Sequence, residues 1–147
     1  MDTHIICIGN RLVAGDDFGP RVYDCLAGAS LPADVHIVDG GLAGLDLLRH
    51  LENCRCAVFV DAVDGFAGPG ELVVLSGDEV ARQSTGGFDH GAGLPYLLRV
   101  LPAVLESQLP AVTLVGHEGH ADEQAVLIAA RLALLVAGKG GGDGRRP

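Results

Sequence analysis

A chain of 147 residues, 48% apolar but only 4% aromatic, is sized for one domain whose core is built of Val, Leu, Ile and Ala. A formal net charge of −9 excludes nucleic acid and anionic membrane surfaces as natural partners and favours cations or basic segments. No run of about 18 apolar residues is present to span a membrane.

In chain order, "HIICI" (4–8) ends at Gly9 and reads as a buried strand. The loop "GNRLVAGDDFGP" (9–20) follows, and Pro20 suits the first turn of a helix running to about residue 29. "ADVHIVD" (33–39) is a second strand and "GLDLLRHLEN" (44–53) a second helix. "CAVFVDAV" (56–63) is the most strand-like run, apolar until Asp61, and "GELVVLS" (70–76) is another strand. A polar loop (77–93) leads to "LPYLLRVLPAVLE" (94–106), a helix in which Pro102 predicts a break or kink. "AVTLVG" (111–116) is the last strand, and 121–138 a long helix with Asp122 and Glu123 in its first turn. The chain therefore reads as a single domain over 1–138 with a disordered Gly/Arg tail at 139–147.

Alternating strands and helices imply a mostly parallel sheet covered on both faces. Only about ten residues, rich in Gly and Pro, join the third and fourth strands. A parallel crossover needs a dozen or more, so the fourth strand should run antiparallel. The expected architecture is a three-layer α/β/α sandwich around a five-stranded mixed sheet. The start "MDTH" is not a secretory leader, which predicts a cytoplasmic protein with reduced thiols at Cys7, Cys25, Cys54 and Cys56. Cys54-x-Cys56 lacks the second pair that a zinc site requires, so the cysteines read as packing residues.

Ligands of open α/β sheets bind outside the carboxyl ends of the parallel strands. Asp16 and Asp17, Asp61 and Asp64, and His117, Glu118 and His120 all fall there, and Asp39 ends the edge-placed second strand. Asp61 closes an apolar strand, so it needs a cation or hydrogen bonds, or else it caps a turn. Asp16 is either a metal-binding carboxylate or an Asx-turn or helix-cap residue, and Asp17, nearer Pro20, is the better cap. His90 precedes a helix and reads alone as a loop histidine. Together Asp16, Asp61 and His90 form a two-oxygen, one-nitrogen set suited to a divalent transition metal with open positions. His117 and His120 could share a metal on a helical turn, although Gly119 argues against a helix. Neither a dinucleotide fingerprint, a phosphate-cradling loop nor a nucleophile elbow occurs, and nothing marks Ser84 or Thr85 as nucleophiles.

"IGNRLVAGDDFGPRV" (8–22) resembles the N-terminal signature of the hydrogenase maturation endopeptidases, which clip the C-terminal extension from nickel–iron hydrogenase large subunits. "VDGGLAGLDLL" (38–48), "FVDAVDGFAGPGEL" (59–72) and "DHGAGLPYLL" (89–98) resemble the family's next blocks, with Leu42 replacing a common threonine. "VTLVGHEG" (112–119) matches the last block only through Val115 and Gly116. Counting back from Gly19 puts Asp16 at the family's first ligand position, with Asp61 and His90 at the other two. The resemblance implies an aspartic-type, metal-dependent endopeptidase in which these three residues are both ligands and catalytic groups. It implies that nickel arrives seated in the large-subunit precursor, with other divalent cations able to occupy the site in vitro. It further implies a monomer acting in the cytoplasm. The substituted last block keeps open a non-catalytic, chaperone-like metal-binding relative. A different small α/β hydrolase using His117 or His120 is the third reading.

Overall fold

The structure is a computed structural model that describes residues 2–42, 45–82 and 93–143. Five strands, β1 (Asp2–Ile8), β2 (Val35–Gly41), β3 (Cys54–Val63), β4 (Leu72–Ser76) and β5 (Ala111–Glu118), form one sheet in the order β2-β1-β3-β5-β4. The pairs β1/β2, β1/β3 and β3/β5 are parallel, and β4 runs antiparallel to β5. Helices α1 (Phe18–Ala27), α2 (Gly77–Ala81), α3 (Gly93–Val104) and α4 (Glu123–Asp143) cover the two faces. The expected α/β sandwich with one antiparallel strand is what the chain builds.

Period-two alternation along β1 and β3 sorts the core into two layers. Ile5, Cys7, Val58 and Val60 pack with Phe18, Val22 and Leu26 of α1 and with Ala129, Ala130, Ala133 and Ala137 of α4. Ile6, Ile8, Ala57 and Phe59 face the other way, against Leu47, Leu51, Val80, Leu94, Leu97 and Leu101. Each large side chain that is fully withdrawn from water contributes roughly 1.5–3 kcal/mol. The alanine row on α4 lets that helix lie close to the sheet without side-chain entropy loss.

Several elements depart from the expected pattern. The second predicted helix is a short 3₁₀ segment, Leu45–His50, and Asn53 at φ 55° turns the chain into β3. The polar stretch after β4 begins with α2, where Ser76 and Glu79 form a reciprocal capping box. The Ser76 hydroxyl accepts from the Glu79 amide at 3.1 Å, and the Glu79 carboxylate accepts from the Ser76 amide at 2.8 Å. Pro102 does not break α3; it sits exposed in the last turn, so the one backbone bond that its missing N–H removes lies close to the helix end. Asp122 caps α4 by accepting from the Ala125 amide at 2.8 Å. α4 continues to Asp143, past the expected end at 138, because glycine weakens a helix by about 1 kcal/mol without forbidding it. Residues 144–147 lie outside the described residues, as do 83–92.

The four cysteines are free, with Cys7, Cys54 and Cys56 buried. Burial pushes the Cys7 thiol up to about 12 and the Cys54 thiol up to about 11, so both are inert packing groups. Among the described residues no helix is long and apolar enough to cross a membrane.

Candidate functional site

The chain leaves β1 for α1 on one face of the sheet, and β3 lies on the other side of β1 from β2. The carboxyl ends of β1 and β3 therefore flank a topological switch point, where open α/β sheets leave a crevice. The loop 9–17 folds over that crevice. Two glycines make the fold possible. Gly9 has φ +148°, and a Cβ there would meet the Asp16 carbonyl at 2.3 Å; a Cβ on Gly19 would meet the Ile8 carbonyl at 2.0 Å. Asn10 organises the loop from within. Its side-chain oxygen accepts from the Leu12 amide at 2.8 Å, and its own amide donates to the Asp16 carboxylate at 3.1 Å and to the Asp16 carbonyl at 2.9 Å.

This geometry turns Asp16 inward, so that it is buried in a loop whose tip is exposed. Asp17 takes the N-cap position of α1, but its side chain makes no capping hydrogen bond. Asp61 sits one residue past the rung that pairs Cys7 with Val60, at the mouth of the same crevice. It is 1% exposed. Neither of its carboxylate oxygens has a hydrogen-bond partner among the described residues. Burial pushes its carboxyl well above the ordinary range and the like charge of Asp16 pushes further, while the neighbouring Ala62 amide, outside hydrogen-bonding geometry, pulls the other way. The like-charge influence of Asp16 on Asp61 puts the two carboxylates near one another. His90, the third expected ligand, lies outside the described residues. Among those residues no group of three or more His, Cys, Asp or Glu side chains could hold a metal ion.

The last block behaves differently from either expectation. His117 is buried, with its ring 5.2 Å from that of Phe18 at the start of α1. Its Nδ1 lies 3.2 Å from the Gly119 carbonyl; that oxygen can only accept, so the bond requires the Nδ1–H form. Glu118 points elsewhere. Its carboxylate accepts from the backbone amides of Gly65, Phe66 and Ala67 at 2.7, 3.0 and 3.1 Å. Burial pushes the Glu118 carboxyl up, but these three amides, joined by a side-chain hydrogen bond with Asp64, outweigh it and hold the group below its ordinary value. His120 is exposed. The three side chains do not converge, and among the described residues no serine, threonine or cysteine side chain hydrogen-bonds His117 or His120. They support the site from below: His117 under α1, Glu118 by fixing the β3–β4 loop. Sequence reasoning named both residues without finding these roles, because backbone amides supply Glu118's partners and leave no trace in residue type.

Asp39 is on the edge strand, as expected, and pairs with Arg11 at 3.2 Å. Arg11 also grips Asp24 of α1 at 2.8 and 2.9 Å, so one guanidinium joins the loop, α1 and β2. A separate cavity of about 320 Å³ lies at the opposite edge of the sheet, lined by residues such as Leu98, Leu101 and Leu109. Among the described residues that line it, Asp78 is the one titratable group.

A buried carboxylate without hydrogen bonds, beside a second carboxylate, is costly unless a cation or a proton neutralises the pair. The donors are hard oxygens, which suit a divalent metal. Asp16 and Asp61 therefore fit the first two positions of the expected ligand set, and either could hold a water and accept its proton.

Comparisons with known proteins identify relatives of the chain. The family described as "HycI: Hydrogenase maturation protease" matches residues 20–128. "Hydrogenase 2 maturation protease" of Escherichia coli is 32% identical over 104 residues, which are 69% of this chain and 63% of that protein. "Hydrogenase expression/formation protein HupD" of Rhodobacter capsulatus is 42% identical over 77 residues, 52% of this chain and 37% of that protein. The matched part of the chain thus spans less than two thirds of either curated relative. Among solved structures, the E. coli hydrogenase maturating endopeptidase HybD superposes with a TM-score of 0.79 at 27% identity, covering 96% of this chain and 94% of that one.

Proposed function

This chain belongs to the hydrogenase maturation protease family, and from that premise we propose that it is a nickel-dependent endopeptidase of aspartic type. Its substrate is the large-subunit precursor of a nickel–iron hydrogenase, from which it removes a C-terminal extension in the cytoplasm. The observation that carries this reading is Asp61, a buried carboxylate with no hydrogen-bond partner among the described residues, set beside Asp16 at the switch point.

The nickel belongs to the precursor, and bound there it supplies Lewis-acid polarisation of a nearby carbonyl. Asp16 and Asp61 complete its coordination from this chain, with His90 as the third donor. Two oxygens and one nitrogen retain nickel weakly on their own, so the protein engages only substrate that is already loaded. One of the two carboxylates holds the attacking water and takes its proton. The chain's own work is to keep that pair desolvated and close. Loop 9–17 does so for Asp16, and β3 for Asp61. The substituted last block lends no support to the non-catalytic alternative, since His117 and Glu118 do structural work outside the ligand set.

Incubation of a nickel-loaded precursor with the protein should produce the mass loss of the extension, and the nickel-free precursor should stay intact. Asp16→Asn and Asp61→Asn should abolish cleavage while remaining folded by circular dichroism. Normal processing by either variant would overturn the assignment.

A further inference from the structure

The carboxylate pair does not account for the side chains around it. Leu12 is 92% exposed, and Val13 and Leu42 are also large apolar groups open to water. Leu12 and Val13 lie four and three residues before Asp16. Leu42 directly follows Gly41, whose carbonyl accepts from the Gly9 amide at 2.8 Å. That bond and the Arg11–Asp39 pair draw the two loops together at the crevice edge.

Single exposed leucines are ordinary on protein surfaces. These differ in how they are held. The Leu12 amide donates to Asn10 Oδ1 at 2.8 Å, the Val13 amide to the Asn10 carbonyl at 3.2 Å, and the Asp16 amide to the Val13 carbonyl at 3.0 Å. Arg11 then clamps the loop to α1 and β2. A floppy loop would fold Leu12 back onto apolar surface. This one is braced along its length and keeps Leu12 pointing into water. Its ordering cost is already met before any partner arrives, which is the condition under which a small apolar contact gives affinity.

The geometry points to Leu12, Val13 and Leu42 as a preformed docking rim for the folded body of the metal-carrying precursor. This inference rests on the proteolytic reading of the carboxylate pair and names the part of the substrate that binds beside it. A metal carried inside a folded protein reaches an almost fully buried Asp61 only if the surface around the metal meets the surface around the crevice. The rim is continuous with that crevice through loop 9–17.

The test uses the full chain with a nickel-loaded hydrogenase large-subunit precursor. Processing kinetics and equilibrium binding of the precursor to the immobilised chain are both measured. Burial of one leucine is worth roughly ten- to a hundredfold in affinity. Leu12→Asp and Leu42→Asp should therefore raise KM and Kd by about tenfold or more with kcat retained. Leu135→Asp, at another exposed leucine, on α4 and far along the chain from the rim, should change neither. Because Leu12 is exposed, its variants should melt with the wild type. An unchanged KM and Kd in Leu12→Asp and Leu42→Asp overturns the docking rim while leaving the protease reading intact. Binding without cleavage by the wild type overturns the protease reading, and the rim then stands or falls on the Kd ratio alone. If the wild type neither binds nor cleaves, both are overturned.

Discussion

Replacing Asp61 by Asn should make the metal-free protein more stable at neutral pH, and the gain should grow with pH in a defined way. In the unfolded chain the carboxyl titrates near its ordinary value of 3.8; in the folded chain burial first, and the Asp16 charge second, raise it well above that. Below the lower value both states are protonated and Asp61 costs nothing as a charge. Between the two values the unfolded state releases a proton that the native state keeps. The stability of the wild type then falls by about 1.4 kcal/mol per pH unit as pH rises. Above the folded value the loss is complete and constant. Asn has nearly the same shape, leaves a polar group equally short of partners, and cannot ionise. Its stability curve lacks this slope. Urea unfolding of both proteins in chelator at half-unit steps from pH 4 to 8 measures the difference. It should widen by about 1.4 kcal/mol per pH unit from near pH 4 and then level off. Parallel curves over that whole range would mean that Asp61 is ionised and satisfied in the native state, and the carboxylate-pair reasoning would fail.

Glu118→Ala removes the acceptor for three backbone amides and should cost about 2 kcal/mol by chemical denaturation, with faster hydrogen exchange at Gly65, Phe66 and Ala67. Because the folded Glu118 carboxyl lies below its ordinary value, its contribution is present above about pH 4.5 and lost as pH falls through the folded value; the acid limb of the variant should be correspondingly flatter. Gly19→Ala forces a Cβ to within 2.0 Å of the Ile8 carbonyl, so α1 must shift off β1; a loss of at least about 3 kcal/mol is expected, with loss of processing. Native-state alkylation followed by mass spectrometry should modify Cys25 first, the half-buried thiol, and reach Cys7, Cys54 and Cys56 only with unfolding.

The apolar runs, their alternation, and the short Gly/Pro link after β3 were enough to read a mixed five-stranded sheet, because burial on two faces leaves a period-two signature in residue type. Boundaries and short elements were harder. The box at Ser76–Glu79 was written in the letters "SGDE", yet a five-residue helix carries too few apolar positions to announce itself. The 3₁₀ segment Leu45–His50 looked like a helix because both share nearly the same spacing of leucines.

The same division holds for the site. The sequence by itself determined that Asp61 interrupts a buried apolar strand and that Asp16 lies in a glycine-bounded loop, since both follow from local pattern; β3 runs two residues past Asp61, to Val63, because Ala62 and Val63 still pair with His117 and Glu118 of β5. Only the tertiary structure decided that the Asp16 charge bears on buried Asp61, that Glu118 serves three amides of a loop about fifty residues away, and that Leu12 is held out in water. The reason is physical. A side chain's partners are chosen by the sheet order β2-β1-β3-β5-β4 and by backbone groups that every residue carries alike, so composition and spacing cannot encode which carboxylate is satisfied and which is left for a cation.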